Sequence, residues 1–572
     1  MRKIKRVIGY TLGIAMVLIA AIFLLNLHLT KRLERYLRKE LIHRTAEATD
    51  GFYRLSFDNL SISFFKGELT LEGIKLCPDS AVFRDWERKD SLPSVYVTAE
   101  VGMIDFKGLN LTWRWSYKQL HFDSFEIRNP DIQVFNPYYS TRAEVKERKE
   151  AEIKTLYEVV SPYINVLTVR ILNLENASVS YSVENPVSPI VYALNDVSFH
   201  AYGFRLDENS SESGKLLYCD NFDFITKRSQ TLLANNDFRL QTDRILLSTE
   251  DSIISISNIT LTPQGELWGE QKKRPDSYLN ALIRAIEVKG IQFRRENALN
   301  YLTARSLDII SSDIQAFNLA GESLPSAKKT EKKSLNEAEA DSLVRSLSLY
   351  ELISPVLHTV SIGTVGIGQA KLQYSFAVKD KIEVYKLANF DFQANDFRID
   401  SVSEAQRGFW YSRGFSFEAT GIEGLMTARN HRFTVKRMTL DTESGDFNLE
   451  RIRLYPLSVC GQNDYMAGSI DTVGIRGLLY DKGISARLLK IDRPNLRYVL
   501  VSSFNKKDVK SVKPANSRVD VESILNPFLR YFSVKRLSLN HASVTIDDKS
   551  MSDPVTYKLN DFNFFATGIW VN

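Results

Sequence analysis

The chain has 572 residues, of which 44% are hydrophobic and 11% aromatic, and its formal net charge is +5. This length allows several domains or one elongated array, and the small charge, which forms no clustered basic face, argues against nucleic-acid binding. The cysteines Cys77, Cys219 and Cys460 lie far apart without a CxxC pair. They therefore predict neither a disulfide framework nor a zinc site.

Residues 1–29 carry the pattern of a membrane anchor. Basic residues precede an apolar run from Val7 to Leu25, which is about as long as a membrane-spanning helix requires. A cleavable secretory signal has the same layout, but this run is long for one and no clear small-x-small site follows it. We therefore expect an uncleaved transmembrane helix. Positive charge flanks both ends of the run, so the charges leave its orientation open.

Residues 30–49 have the spacing of an amphipathic helix. One apolar stripe is formed by Leu33, Tyr36, Leu37, Leu41 and Ile42. Basic residues occupy the remaining face. Such a helix would lie along a membrane surface beside the anchor or cap the first sheet, and both arrangements can hold together.

Residues 50–140 change to the period of two that is typical of strands. Leu69 and Leu71 alternate, and the pattern then shifts by one residue at Gly73, before Ile74.

A strand–break–strand phrase later occurs three times at constant offsets, over residues 161–181, 354–374 and 526–546. Each copy leads without a gap to a second shared phrase, over residues 194–199, 387–392 and 559–564. A fixed internal period indicates a repeat architecture.

These copies divide the body into predicted β repeats at residues 156–325, 346–502 and 521–572, the last of them incomplete. Charged segments that precede the copies, at 143–154, 326–341 and 505–518, are predicted to be linkers or loops. Short helices are expected next, at Leu156–Val160, Leu347–Ile353 and Val521–Leu525. The third repeat is a short terminal cap or part of a longer protein. The second interpretation is favoured because an exposed aromatic edge strand makes a poor cap.

The predicted fold class is therefore mainly β. It consists of the transmembrane helix followed by an elongated, repeated antiparallel sheet that curls into a groove, with short helices before each repeat.

No catalytic constellation emerges from the sequence. The seven histidines never fall at metal-ligand spacing with one another, and no HExxH or EF-hand frame occurs. Gly363–Gly368 resembles a phosphate loop, but it lies inside a predicted strand and lacks the Lys-Ser/Thr that would complete it. We expect neither a cofactor nor an enzymatic activity.

Residues 1–137 resemble the amino-terminal region of the AsmA-like family. The resemblance lies in the basic start, the single span and the amphipathic helix, and in the segments 66–69, 72–76, 101–110 and 125–134. It implies an inner-membrane anchor with a cytoplasmic N-terminus and a periplasmic body in a Gram-negative envelope. It also implies phospholipid transport along an apolar β-groove, as in bridge-like lipid-transfer proteins, and a contribution to outer-membrane homeostasis. The family has no catalytic motif, so no catalytic residue is carried over.

Alternation along the repeated strands predicts a continuous apolar stripe that would shelter lipid. Its candidate residues are Val169, Ile171, Val179 and Tyr181 in the first repeat, Ile362, Leu372 and Tyr374 in the second, and Val534, Val544 and Ile546 in the third. A filled sandwich core would use the same residues, so the sequence leaves an open groove and a closed core as alternatives. The alternative function is a scaffold or assembly factor that binds outer-membrane or periplasmic proteins without a lipid.

Overall fold

The computed structural model describes residues 31–47, 49–63, 66–89, 92–93, 95–114, 117–136, 157, 161, 164–183, 190–210, 215–233, 238–263, 277–296, 299–318, 357–378, 381–406, 411–458, 464–480, 484–501, 532–549 and 553–571. The protein is mainly β, as predicted, and its sheet is mixed. The chain divides into two compact units, Met1–Ser257 and Asn258–Asn572.

The first unit contains two helices, α1 (residues 31–47) and α2 (Ser80–Arg88). Its strands are β1 (Tyr53–Ser56), β2 (Asn59–Ser63), β3 (Glu68–Pro78), β4 (Tyr96–Lys107), β5 (Asn110–Arg114), β6 (Tyr117–Asn136), β7 (Val166–Val183), β8 (Ile190–Leu206), β9 (Asn221–Leu233), β10 (Phe238–Thr242) and β11 (Arg244–Ser248). A 3-10 turn covers Leu216–Tyr218, and the boundary between the units lies in β12 (Ile253–Pro263).

The second unit contains the helix α3 (Ser401–Gln406) and a 3-10 turn at Thr427–Arg429. Its strands are β13 (Ser277–Lys289), β14 (Gln292–Glu296), β15 (Leu299–Asn318), β16 (Thr359–Val378), β17 (Lys381–Ile399), β18 (Gly414–Met426), β19 (His431–Asp441), β20 (Asp446–Pro456), β21 (Tyr465–Arg476), β22 (Leu479–Tyr480), β23 (Ile484–Asp492), β24 (Asn495–Leu500), β25 (Phe532–Asp548) and β26 (Val555–Val571).

Several predicted segments lie outside the described residues. They are the transmembrane anchor at 1–29, the charged linkers at 143–154, 326–341 and 505–518, and the short helices at Leu347–Ile353 and Val521–Leu525. Of the helix predicted at Leu156–Val160, only Tyr157 is described, and it is helical. Within the described part of the chain, no helix has both the length and the apolar character needed to cross a bilayer.

The prediction of an antiparallel sheet is wrong at the start of each repeat. β7 runs parallel to β6, β16 runs parallel to β15, and β25 runs parallel to both β23 and β24. A parallel pair requires a crossover of about a dozen residues or more, and the segments that precede β7, β16 and β25 contain the charged linkers. The linkers therefore supply the length for three crossovers, and the remaining registered pairs of the described strands are antiparallel.

Helix α1 packs on the first strands of the sheet. Its Leu37 contacts the cluster formed by Phe57, Leu60 and Ile74. Arg38 donates hydrogen bonds to the carbonyl oxygens of Phe57 and Asp58, at 2.9 and 3.0 Å. The side chains of Tyr36, Leu41 and Ile42 remain exposed. The helix thus caps the sheet with part of its apolar stripe and leaves the rest uncovered.

A row of left-handed backbone residues crosses the strands of the first unit at one level. Its members have positive φ angles: Gly73 (63°), Asn129 (52°), Asn176 (55°) and Asp196 (52°). The register between β7 and β8 shifts by one residue on either side of Ala177, which marks a β-bulge on each strand. A bulge moves the following side chains to the opposite face, and for this reason Leu69, Leu71 and Ile74 pack in one cluster.

The second unit contains an equivalent row. It consists of Ser311, Gln369, Gly421, Arg451, Arg493, His541 and Asp561, all with positive φ. The register shifts at Ala370 and Ala542 match the shift at Ala177 in the first repeat. The three copies of the repeat therefore bend the sheet at equivalent residues.

The backbone is irregular at a second level of the sheet, six or seven residues along each strand from the row of left-handed residues. In the first unit it includes Gly203, whose φ is 66° and which lies opposite Arg170. Ala201 and Phe204, on either side of Gly203, nevertheless contact the same apolar cluster, together with Leu172. Strand alternation alone would place Ala201 and Phe204 on opposite faces, so the phase shifts at this level as well.

Candidate functional site

One line of apolar side chains crosses the second unit without interruption. Each member is directly paired with the next across neighbouring strands. The line, named here the long apolar row, comprises Ile286, Ile309, Ile367, Phe392, Phe417, Leu440, Phe447, Ile475, Leu489, Leu537 and Ala566. Directly paired residues project to the same face of a sheet, so the eleven side chains form one surface.

The first unit contains a similar line. The short apolar row comprises Leu60, Leu71, Ile104, Ile127, Leu174, Phe199, Phe224, Leu247 and Ile254. Aromatic contacts accompany it. The rings of Phe106 and Phe125 stack with their centroids 4.5 Å apart, and the rings of Phe199 and Phe222 are tilted, with centroids 5.5 Å apart. Both units therefore present a continuous apolar line across their strands.

The side chains of the long apolar row are half-buried, not fully enclosed. A filled core packs its side chains to the density of an organic crystal and leaves little of their surface accessible. The intermediate burial of these side chains shows that the apolar line is partly accessible to solvent.

The face opposite the long apolar row is polar. The neighbouring register line runs through Asp308, Gly366, Gln393, Ser416, Asp441 and Asp446. On the same face Arg437 donates two hydrogen bonds to the carboxylate of Glu418, at 2.8 and 2.9 Å. The sheet is therefore amphipathic, with one apolar and one hydrated side.

The sequence-predicted site residues separate into three groups. Val169, Ile362 and Val534 occupy equivalent positions and are only 4%, 6% and 1% exposed, so they belong to the core. Their cluster in the second repeat, with Val360 and Ile399, also contacts Val365. Residues of this first group support the sheet and offer almost no surface to a ligand.

The second group comprises Val179, Tyr181, Leu372 and Val544, which are half-buried, and the third comprises Tyr374 and Ile546, which are 44% and 36% exposed. They lie on the apolar face beyond the bulge row, because Val179 pairs with Leu194 and Leu372 pairs with Leu387. These positions extend the apolar surface along the strands, away from the two rows.

Ile171 does not share this face. It pairs with Ser124 and with the exposed Tyr202, whereas the next residue, Leu172, belongs to the apolar cluster with Ala201. The phase shift opposite Gly203 separates Val169 from Ile171, so the expectation that both line one stripe is wrong.

The sequence-based selection missed the residues of the two rows. Leu174, Ile367 and Leu537 lie between the bulge levels, in the part of each repeat where the period of two is shifted. The signal that identifies them is the three-residue step from Val169 to Leu172 and from Ile362 to Val365, which occurs in both repeats.

Among the described residues, no His, Cys, Asp and Glu side chains form a group that would hold a metal ion. The thiol of Cys219 is buried against Ala201 and Phe222, and burial raises its pKa to about 11. A thiol with such a pKa stays protonated and unreactive at neutral pH.

The sequence matches no protein-family model, and a comparison with curated proteins also finds no match.

Proposed function

We propose that the chain is a membrane-anchored lipid-binding protein of the Gram-negative cell envelope, which shelters acyl chains along the apolar face of its sheet. The observation that carries this proposal is the long apolar row, whose eleven paired and half-buried side chains lack a polar interruption. A scattered set of pockets would strand a lipid between sites. A continuous row lets an acyl chain move from one strand to the next.

The dimensions support a lipid as the ligand. Strands are spaced by about 4.8 Å, so the path along eleven strands is about 48 Å, compared with about 15 Å for the hydrocarbon of one leaflet. Each sheltered methylene contributes about 0.8 kcal/mol. A diacyl lipid with about thirty methylenes therefore gains roughly 20 kcal/mol from full cover, and the side chains beside the row widen the surface available for that cover.

The resemblance of residues 1–137 to the AsmA-like family supports the proposed location. It implies an inner-membrane anchor, a periplasmic sheet curled into a groove, and transport of phospholipid towards the outer membrane. The exposed Tyr36, Leu41 and Ile42 on α1, next to the apolar run at 7–25, would suit a helix that touches the membrane surface.

The proposal is tested by native mass spectrometry and lipid extraction on the full chain, purified in a mild detergent from a Gram-negative host. Phospholipid that co-purifies at a reproducible stoichiometry, and that survives detergent exchange, is the expected result. A well-folded protein that carries no lipid, and takes up none from phospholipid vesicles, would contradict the proposal and favour the envelope scaffold.

A further inference from the structure

Five exposed basic side chains lie together on the polar face of the second unit. They are Arg476 on β21, Arg487 and Lys490 on β23, and Lys535 and Arg536 on β25. Arg476 and Arg536 each pair with Leu488, which lies between them, and Arg476 also pairs with Asp446 of the polar line. With strands about 4.8 Å apart and a rise of about 3.3 Å per residue, these five residues, named here the basic patch, span about 10 Å in each direction.

The three-residue step of the repeat places successive cations on this face. Val534 is 1% exposed and Leu537 belongs to the long apolar row, and the equivalent residues of the second repeat pack in one apolar cluster. The two residues between them, Lys535 and Arg536, therefore both project to the polar side. β23 has the same step, which places Arg487 on that side as well.

The positive charge of the basic patch is hardly balanced by the protein itself. Lys490 forms an ion pair with Asp492 at 2.8 Å. The other four members form no ion pair with a carboxylate of the described residues, and this includes Arg476 and Asp446, although they lie opposite each other. The patch thus concentrates as much positive charge as the net +5 of the whole chain.

The internal repeat shows that the fold does not require this charge. The start of each repeat pairs its strands in the same register, so the five positions of the patch have equivalents in the other two repeats. These are Lys107, Asp123, Glu126, Arg170 and Ile171 in the first repeat, and Lys289, Arg305, Asp308, Gly363 and Thr364 in the second. Two positive and two negative charges give a net charge of 0 in the first set. Two positive and one negative give +1 in the second, whereas all five are positive in the third.

The first repeat shows how the fold balances such a place when it carries charge. Arg170 lies 3.4 Å from the carboxylate of Asp123, and Lys107 lies 3.8 Å from that of Glu126. In the third repeat, cations replace both carboxylates. Like charges across neighbouring strands destabilise a sheet, so the basic patch opposes folding until negative charge is supplied from outside.

We propose that the basic patch docks the second unit onto the surface of an anionic membrane, through the phosphates of its lipid headgroups. Groups of four to eight Lys and Arg residues bind such surfaces, with about 1 kcal/mol for each cation. Five exposed cations spread over three strands match an extended anionic surface better than one small anion. The choice of a membrane among anionic surfaces rests on the envelope location proposed above. Docking brings the strands that carry Ile475, Leu489 and Leu537 of the long apolar row to a membrane and leaves the apolar face free.

The test uses the full chain, immobilised through an N-terminal tag, and surface plasmon resonance with phospholipid vesicles. Vesicles made of equal parts of phosphatidylcholine and phosphatidylglycerol should bind, and binding should weaken as salt is added, because salt screens exposed charges. Vesicles of phosphatidylcholine alone should bind far less. The double variant Lys535→Gln with Arg536→Gln should weaken binding to the anionic vesicles by about thirtyfold, which corresponds to about 1 kcal/mol for each cation removed.

The matched control is Lys386→Gln with Lys436→Gln. It removes the same charge from exposed positions on β17 and β19 and should leave vesicle binding unchanged. Circular dichroism checks that both double variants are folded. Phospholipid that co-purifies with the chain should be the same for both, because the basic patch lies on the face opposite the long apolar row. Vesicle docking and lipid carriage are therefore measured separately.

Three outcomes would overturn the proposal. The first is equal weakening of vesicle binding by the two double variants. The second is binding to uncharged vesicles that is as tight as binding to anionic ones. The third is binding of a DNA duplex, but not of anionic vesicles, that Lys535→Gln with Arg536→Gln abolishes, because the patch would then recognise a different polyanion.

Discussion

The backbone N–H of Gln369 donates a hydrogen bond to Oδ1 of Asp391 on the neighbouring strand, at 2.9 Å. In the third repeat the N–H of His541 donates to Oδ1 of Asn563, also at 2.9 Å. Gln369 and His541 are the left-handed residues of the bulge row. The bulge takes the N–H of Gln369 or His541 out of the main-chain ladder. A side chain of β17 or β26 accepts its hydrogen bond instead of a main-chain carbonyl. The bend of the sheet is specified by a pair of residues, one on each strand.

The first prediction concerns this pair. Asp391→Ala should lower the free energy of unfolding by about 0.5–1.5 kcal/mol, because it removes the acceptor of the N–H of Gln369. Asp391→Asn keeps a carbonyl oxygen in place and should cost less. Urea unfolding monitored by circular dichroism measures both variants. Equal losses for the two would show that the hydrogen bond does not stabilise the bulge.

The second prediction concerns the long apolar row. A double variant, Phe392→Asp with Phe417→Asp, should retain its strand content, because both side chains are half-buried. Bound lipid should fall by about tenfold or more, since an acyl chain would have to desolvate two carboxylates.

The matched control for the row is Gln393→Asp with Ser416→Asp. Gln393 follows Phe392 on β17 and Ser416 precedes Phe417 on β18. Gln393 and Ser416 pair with each other on the polar face. They should leave the co-purifying phospholipid unchanged. Lipid retained by both double variants would place the binding surface elsewhere.

The third prediction separates core from surface among the residues selected from the sequence. Ile362→Ala removes a side chain that is 6% exposed and packs against Val360 and Ile399, so it should cost about 2–5 kcal/mol. Tyr374→Ala, at a position 44% exposed, should cost about 1 kcal/mol, mainly from its stacking on Phe376. Chemical denaturation of the two variants gives the comparison, and similar losses would contradict the assignment of Ile362 to the core.

The fourth prediction concerns Gly421, where β18 adopts a φ of 62°. Gly421→Ala should destabilise the protein by about 1–2 kcal/mol from the left-handed backbone alone. The new methyl would also lie 2.7 Å from Cβ of Ala388. Adding Ala388→Gly should recover only the part of the loss that comes from this collision. A double variant as unstable as Gly421→Ala would show that the collision relaxes without cost.

The fifth prediction concerns Asp400, which precedes α3. Burial raises the pKa of its carboxyl, but hydrogen bonds from the backbone and hydroxyl of Ser403 and from Arg398 outweigh burial, so the pKa lies below its usual value. The N–H of Ser403 and Nε of Arg398 donate to this carboxylate at 2.7 and 2.5 Å.

Because the folded-state pKa of Asp400 is depressed, its contribution to stability is complete above the unfolded-state pKa of about 3.9 and is lost as the pH falls through the folded-state value. Asp400→Asn should therefore destabilise the chain at neutral pH, because the amide keeps the cap but loses the charge that faces Arg398, and the difference from the unchanged chain should shrink below pH of about 4. Thermal unfolding at several pH values measures this difference. A difference that does not change with pH would contradict the prediction.

The mainly β fold and the three copies of the repeat could be predicted because strand alternation and a fixed offset are properties of the sequence itself. The phase shift at Gly73 could be recognised because glycine marks a left-handed position. At Asn129, Asn176 and Gln369 the same backbone conformation is adopted by residues that also occur in ordinary strands, so the shift was not visible. For this reason a strict period of two placed Ile171 on the wrong face and passed over Leu174 and Ile367.

Strand direction could not be derived from the sequence for a different reason. The residues of β7, β16 and β25 have the same alternation in a parallel pair as in an antiparallel one. What distinguishes the two is the length of the preceding connection, and the charged composition that predicts a linker or loop does not specify the direction of the next strand.

The parallel junctions have a consequence for how the protein can change in length. Each repeat begins with a strand that runs in the same direction as the strand before it, so the insertion of a further copy would preserve the direction and face of every strand on either side. A duplicate of the second repeat would add the seven strands that carry Ile367, Phe392, Phe417, Leu440, Phe447, Ile475 and Leu489. At about 4.8 Å per strand, one duplication would extend the apolar path by about 34 Å. The number of repeats therefore sets the length of the apolar path, and evolution could change that number to match the distance that the protein must span.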